Sequence, residues 1–173
     1  IYNGLDFSHV VPKTDRAAYF AQFGYTVHEG DVIAGIAARL DPVKDIPTLI
    51  RAVALAQKAC PQLRLAIAGE GMERKKLEAL AAELGIADSV FFLGWVNDLD
   101  SFYGALDINT LSSLSEAFPY ALPEGARAHL ATVASNVGGV PAIIEHGVTG
   151  LLIEPGDVRM LAAYLARYAL DEN

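Results

Sequence analysis

The chain has 173 residues, of which 53% are hydrophobic and 20% are charged, and these values are typical of one globular α/β domain with a full core. The net charge of −8 argues against nucleic acids and anionic membrane surfaces as partners. Cys60 is the only cysteine, which excludes an internal disulfide and suits a reducing, cytoplasmic compartment.

Short apolar runs alternate with amphipathic segments from residue 31 onward. The apolar runs predict six strands, at 32–37, 63–68, 90–93, 108–111, 132–135 and 150–153. The segments between and after them predict five helices and one helical turn, at 46–59, from the Gly71 turn to 84, at 98–106, after Glu116, at 142–145 and from 158 to about 170. This alternation predicts an α/β fold, a Rossmann-like doubly wound parallel sheet of about six strands.

The ends of several helices carry recognisable signals. Asp45 and Asp157 suit N-caps, and Gly85 suits the position just after a helix that packs Leu80 and Leu84 inward. Residues 1–30 do not fit the alternation, so we expect an interdomain linker and a lead-in helix there, followed by a single domain at 31–173. The pattern begins abruptly, and we therefore expect the chain to be part of a longer protein.

Two glutamates, Glu116 and Glu124, lie where the fourth strand gives way to the next helix. On one continuous helix they would be about 12 Å apart along the axis, too far to flank one bond as an acid and a base. Pro119 and Pro123 also argue against a single helix, because proline is tolerated only in a first turn. We therefore predict Glu116 in the loop and Glu124 just inside the helix, with backbone N–H groups between them as an anion site.

The position of this pair indicates a ligand. In an open α/β sheet ligands bind at the carboxyl ends of the strands, where both glutamates are expected. Two carboxylates beside an anion site suit a long ligand that carries hydroxyl groups next to a phosphate. The alternative is a pair of solvated surface acids.

The loop after the first strand, at 38–44, places Arg39 and Lys44 at the same edge of the sheet. A guanidinium binds phosphate with a planar fork and an ammonium binds it as a point charge. The alternative is that Arg39 pairs with Asp41 while Lys44 extends into solvent.

Other segments at this edge carry weaker signals. The loop Gly94-Trp95-Val96 is placed to lie under a nucleobase, which its backbone groups could contact, whereas the Trp95 side chain is expected to pack in the core or at a domain interface. Gly138 and Gly139 permit close approach to a ligand, or simply a tight turn. No metal-ligand spacing, catalytic triad or dinucleotide-binding glycine pattern is present in the sequence.

Six motifs occur in an order that resembles the C-terminal half of family 4 glycosyltransferases, which are retaining enzymes of the GT-B fold. The motifs are Asn3-Gly4-Leu5-Asp6, Ala38-Arg39-Leu40-Asp41-Pro42-Val43-Lys44, Ala68-Gly69-Glu70-Gly71, Phe92-Leu93-Gly94, Glu116-x7-Glu124 and Gly138-Gly139-Val140-Pro141. The resemblance covers nearly the whole chain. It implies one half of a GT-B fold that binds a nucleotide-diphosphate sugar without a metal or other cofactor.

The resemblance also implies roles for individual residues. Arg39 and Lys44 would hold the donor diphosphate, Glu116 would bind sugar hydroxyls, and Glu124 would bind the ribose. The remaining nucleotide contacts would come from two segments, the base-facing Gly94, Trp95 and Val96 and the helix entrance Phe118, Pro119, Tyr120 and Ala121.

The sequence departs from the family pattern at several positions. Asp45 replaces a usual glycine, Ala117 and Pro119 replace two glycines around Phe118, and two further alanines replace residues common in the family, Ala131 a proline and Ala142 an acid. Pro119 removes one N–H that a phosphate would use.

In GT-B enzymes the acceptor lies mainly on an N-terminal domain, so we expect this chain to need that partner domain and to transfer nothing alone. Peripheral membrane association would arise through that half. Three alternatives stay open at this point: a dinucleotide-binding oxidoreductase half, a non-catalytic nucleotide-binding or interaction module, and another GT-B enzyme such as a sugar-nucleotide epimerase.

Overall fold

The computed structural model describes residues 10–170. Within this range the strands are β1 (Val32–Ala37), β2 (Leu63–Ala68), β3 (Val90–Gly94), β4 (Ile108–Leu111), β5 (Ala131–Ser135) and β6 (Leu151–Ile153). The helices are α1 (Arg16–Ala21), α2 (Ile46–Ala56), α3 (Arg74–Glu83), α4 (Leu99–Gly104), α5 (Ala121–Arg127) and α6 (Val158–Leu170). The motif at 3–6 lies outside the described residues.

The six strands form one parallel sheet in the order β3-β2-β1-β4-β5-β6. The chain builds outward from β1 to β3, then returns to the middle and builds outward again from β4 to β6. The order reverses between β1 and β4, and this pair is the topological switch point at which α/β sheets bind ligands. The predicted Rossmann-like, doubly wound fold is confirmed.

Hydrophobic layers cover both faces of the sheet, because buried parallel strands present apolar side chains to each side. On one face α2, α3 and α6 pack against the strands around Ile36, Leu65 and Val133. On the other face α1 and α4 pack an aromatic cluster, in which the Phe20 ring contacts Phe91 of β3 and Phe102 of α4 is also buried. The described part of the lead-in segment therefore contributes to the core.

Several predicted helix ends are correct. Asp157 accepts a hydrogen bond from the Met160 N–H at the start of α6, and Gly85 follows α3 with φ of +72°. The Leu84 prediction is wrong, since this side chain is exposed. The helical turn predicted at 142–145 is instead a short 3₁₀ turn at Val140–Ala142.

The start of α2 differs from the prediction. The helix ends at Ala56, three residues earlier than expected, and Asp45 precedes it without making a side-chain cap. Asp45 has φ of +44°, in the left-handed region. The backbone turn that joins Lys44 to α2 therefore requires a conformation that glycine adopts most readily.

Within residues 10–170, no helix is both long and apolar enough to cross a bilayer.

Candidate functional site

A cavity of about 340 Å³ opens at the carboxyl ends of the strands, over the switch point between β1 and β4. All of the predicted site residues except Gly94 line it, and they are Arg39, Lys44, Trp95, Val96, Glu116, Phe118, Pro119, Tyr120, Ala121 and Glu124. Residues predicted separately from three segments, those after β1, β3 and β4, thus converge in space. The convergence arises because parallel strands bring all their carboxyl ends to one edge of the sheet.

Lys44 and Glu116 form an ion pair in this cavity. Lys44 Nζ lies 2.6 Å from Glu116 Oε1, and the two side chains are only 19% and 10% exposed. The alternative in which Lys44 extends into solvent is therefore wrong. The buried Ser113 donates a second hydrogen bond to the same oxygen, at 2.6 Å. Both contacts use Oε1, so Glu116 is held in place while Oε2 makes no hydrogen bond to any described residue.

Backbone contacts hold the two partners together. The Ser112 hydroxyl donates to the Lys44 carbonyl at 2.8 Å, and the Leu114 N–H donates to the Val43 carbonyl at 2.8 Å. The segment after β4 is thereby joined to a short 3₁₀ turn, Pro42–Lys44, that follows β1. This explains how two charged side chains 72 residues apart in sequence meet at hydrogen-bonding distance.

Arg39 is placed differently from Lys44. Its side chain is 81% exposed, and its Nη2 atom lies 3.1 Å from Asp41 Oδ2. The pairing with Asp41 that the sequence offered as an alternative is therefore present, although Arg39 also lines the cavity. Exposed ion pairs of this kind contribute little to stability, so Arg39 can exchange Asp41 for another anion at low cost.

The glycine pair supports the loop that carries Glu116. Gly138 has φ of +49°, and a Cβ there would overlap the Glu116 carbonyl oxygen. The Gly139 N–H donates to that same carbonyl at 3.2 Å. Neither glycine lines the cavity, so the close approach that they permit is to the Glu116 backbone.

Glu124 lies in the first turn of α5, and Glu116 lies in the preceding loop, as predicted. The Tyr103 hydroxyl donates a hydrogen bond of 3.0 Å to Glu124 Oε2. Burial raises the pKa of Glu124 above its ordinary value, while the hydrogen bond from Tyr103 opposes that shift. The pKa of Tyr103 is raised well above its ordinary value by its own burial and by the neighbouring carboxylate.

Trp95 and its neighbours form the wall nearest β3. The Trp95 side chain is 72% exposed, and its Nε1 donates to Asn97 Oδ1 at 2.9 Å. Packing in the core is therefore wrong for this side chain. Gly94 has φ of +72° and accepts a hydrogen bond from the Gly69 N–H, so it shapes the loop behind the wall.

The sequence assigned no site role to several wall residues, which are Ala37, Ala38, Ala68, Gly69, Glu70, Leu99 and Leu111. Most lie at or just beyond the ends of β1, β2 and β4, so the strand predictions already implied this location. Tyr103 had no comparable signal, because its contact with Glu124 joins two different helices.

Among residues 10–170, no group of three or more His, Cys, Asp or Glu side chains is arranged to hold a metal ion.

The doubly wound sheet and its switch-point cavity define a Rossmann-like domain of the kind that binds ligands at its carboxyl edge. The sequence profile described as glycosyl transferases group 1 matches residues 20–173, and the chain belongs to this family. D-inositol 3-phosphate glycosyltransferases from Corynebacterium urealyticum and Saccharomonospora viridis are 30% and 34% identical to it, over 98% and 96% of the chain. The chain spans only 42% and 41% of those relatives.

Solved structures show the same architecture. Anabaena Alr3699/HepE, crystallised with UDP and glucose and also with UDP-glucose, is 30% identical with a TM-score of 0.86, covering 99% of this chain and 47% of that one. The C-terminal domain of LpcC, a glycosyl transferase group 1 family protein from Francisella tularensis, is 24% identical with a TM-score of 0.76. That match covers 97% of this chain and 95% of the other, so a domain of the same extent has been crystallised alone.

Proposed function

We propose that this chain is the donor-binding half of a glycosyltransferase. The full protein would move a sugar from a nucleotide-diphosphate sugar to an acceptor hydroxyl, with retention of anomeric configuration. The observation that carries this proposal is the convergence of Lys44, Glu116 and Glu124 in one cavity at the switch point. The UDP and UDP-glucose complexes of Alr3699/HepE make a uridine nucleotide the first candidate.

The cavity suits the chemistry of this donor. Glycosyl transfer leaves negative charge on the departing diphosphate, and cations already in place stabilise that charge without reorganisation. Lys44 and Arg39 would supply those cations, and they would serve in place of a metal ion. Glu116 orders the Lys44 side chain in the cavity before any ligand binds. Ligand binding therefore does not have to order this side chain, which would otherwise lower the affinity.

Carboxylates at two positions suit the two hydroxyl-bearing parts of the donor. Glu116 would accept hydrogen bonds from the transferred sugar through Oε2, and Glu124 would accept them from the ribose. The base would lie against Trp95 and Val96, and the backbone of 118–121 would contact the phosphates. Pro119 has no N–H, so within this segment the amides of Phe118, Tyr120 and Ala121 would donate hydrogen bonds to the phosphates.

The remaining contacts would come from the acceptor half of the same protein. At about 340 Å³ the cavity is at the small end of the range for ligand sites, which indicates a site completed by another surface. Four apolar side chains on or beside its rim are exposed, Val43, Trp95, Leu114 and Tyr120. We propose that the N-terminal acceptor domain covers them, that the chain alone binds nucleotide weakly and transfers no sugar, and that the protein is cytoplasmic.

Calorimetric titration of the chain with UDP, GDP, ADP and NAD tests this function. We expect one nucleoside diphosphate to bind, and Glu124→Ala to weaken that binding at least tenfold, because lost hydrogen bonds to a charged group cost about 1.5–3 kcal/mol. Glu83→Ala, an exposed glutamate on α3, is the matched control and should bind like the unaltered chain.

Each other outcome favours one alternative. Binding of NAD would favour an oxidoreductase half. Binding that survives both Arg39→Ala and Glu124→Ala would favour a non-catalytic module. Sugar transfer by the chain alone would contradict the need for a second domain. An epimerase would convert the sugar nucleotide without any acceptor when the full protein is assayed.

A further inference from the structure

We infer that Tyr103 is a positioning residue for nucleotide binding, holding Glu124 Oε2 so that Oε1 is presented to the ribose hydroxyls. This inference rests on the proposed function, because it concerns the residue proposed to bind the ribose. Tyr103 does not line the cavity, so its effect on a ligand would pass through Glu124.

The surroundings of Tyr103 hold its hydroxyl group in a fixed position. Tyr103 is only 1% exposed, and its ring packs edge-on against Phe102 at a centroid distance of 5.4 Å. It lies one turn after Leu99 on α4, and Leu99 lines the cavity, so this face of α4 forms the support behind the wall. The hydroxyl is therefore held by the core at 3.0 Å from Glu124, which is itself half-buried.

Ordering Glu124 in advance favours binding. A glutamate has three rotatable side-chain bonds, and a ligand that must order them loses part of its affinity. The hydrogen bond from Tyr103 fixes one carboxylate oxygen, which also fixes the direction of the other. Because this constraint comes from a different helix, it holds α5 and α4 in register at the cavity wall.

The hydrogen bond from Tyr103 also affects the pKa of Glu124, together with burial and the neighbouring charges. Burial raises the pKa of Glu124, the bond from Tyr103 and the charge of Arg127 lower it, and the charge of Asp100 raises it. Arg127 also pairs with Asp100, at 3.4 Å. Removal of the Tyr103 hydroxyl would therefore leave a carboxylate that takes up a proton at higher pH than before.

The test compares UDP with 2′,3′-dideoxy-UDP, which lacks the hydroxyls that Glu124 would bind. In Tyr103→Phe we expect the preference for UDP over the dideoxy nucleotide to fall about tenfold, with affinity for the dideoxy nucleotide unchanged. The phenylalanine keeps the ring in the core, and circular dichroism confirms the fold. Tyr19→Phe is the matched control, because the Tyr19 hydroxyl is also buried but has no hydrogen-bond partner among residues 10–170.

The pH profile supplies a second readout that a purely structural role would not move. The pH below which the preference for UDP is lost should rise in Tyr103→Phe and stay unchanged in Tyr19→Phe. An unchanged preference and profile in Tyr103→Phe, or equal losses for both nucleotides, would overturn the inference while the proposed function stands. If the unaltered chain binds neither nucleotide, the proposed function fails and this inference fails with it.

Discussion

At the scale of single residues, Lys44, Glu116 and Glu124 are held by contacts that join different loops or helices. The Lys44–Glu116 pair is mostly buried, and removing one partner of such a pair leaves an uncompensated charge. Asp45, beside Lys44, adopts the left-handed conformation that a glycine usually supplies. Aspartate tolerates this region better than most residues, so this departure from the family pattern is compatible with the loop.

The raised pKa of Glu124 predicts a stability effect of Glu124→Gln. Because its folded-state pKa lies above the ordinary value of 4.5, the ionised form lowers the stability of the folded chain as pH rises through that interval. We expect Glu124→Gln to unfold at a higher temperature than the unaltered chain at pH 7.5. The difference should shrink as pH falls below 4.5.

Scanning calorimetry at several pH values measures this effect. The amide oxygen of glutamine still accepts the hydrogen bond from Tyr103, so the substitution removes charge and little else. Glu83→Gln is the control, since an exposed glutamate should show no pH-dependent gain. A lower unfolding temperature for Glu124→Gln at pH 7.5 would show that the carboxylate stabilises the fold.

At the scale of elements, the loop between β4 and α5 is shaped by the loop after β5. Gly138 and Gly139 pack against the backbone of Glu116 and Ala117, and no side chain fits between the two loops. The position of Glu116 therefore depends on a segment that makes no contact with the cavity itself.

This packing predicts that Gly138→Ala will be severely destabilising. A Cβ there meets the Glu116 carbonyl and the residue has φ of +49°, so we expect a loss of about 3 kcal/mol together with weaker UDP binding. Gly147→Ala is the matched control, because Gly147 has φ of +80° but nothing within 4 Å of a new Cβ. The free energy of unfolding of Gly147→Ala should fall by only about 1 kcal/mol, the cost of the left-handed backbone conformation. Its affinity for UDP should be unchanged.

Urea unfolding and UDP titration on both variants separate the two effects. Equal destabilisation of both would mean that backbone strain, not the contact with the Glu116 loop, explains the loss at Gly138.

At the scale of the whole molecule, the carboxyl edge of the sheet carries charged side chains in a largely apolar cavity, and exposed apolar side chains lie on or beside the cavity rim. Trp95 is the most exposed of the rim side chains, and it is also the only tryptophan of the chain. Its fluorescence therefore reports on this edge alone.

We expect the chain by itself to show the long-wavelength emission of an indole in water. Emission should shift to shorter wavelength when the chain is joined to its acceptor half, because the proposed interface removes Trp95 from solvent. The shift is measured by comparing this chain with the full-length protein, and Trp95→Phe in both gives the background. Identical emission maxima would mean that the acceptor half leaves Trp95 exposed.

The sequence by itself determined the order of the elements and the type of sheet. Alternation of apolar strands with amphipathic helices is a local pattern, so it can be read without knowing which strands are neighbours. The placement of Glu116 in a loop and Glu124 in a helix was equally local, because Pro119 and Pro123 restrict the backbone between them.

Only the tertiary structure decided which of these residues meet. The strand order places β1 beside β4, and that adjacency brings Lys44 to Glu116 across 72 residues of sequence. The packing of α4 on α5 likewise brings Tyr103 to Glu124, and the exposure of Trp95 depends on what surrounds its loop. Contacts of this kind depend on how whole helices and strands are arranged in space. Local residue patterns do not determine that arrangement.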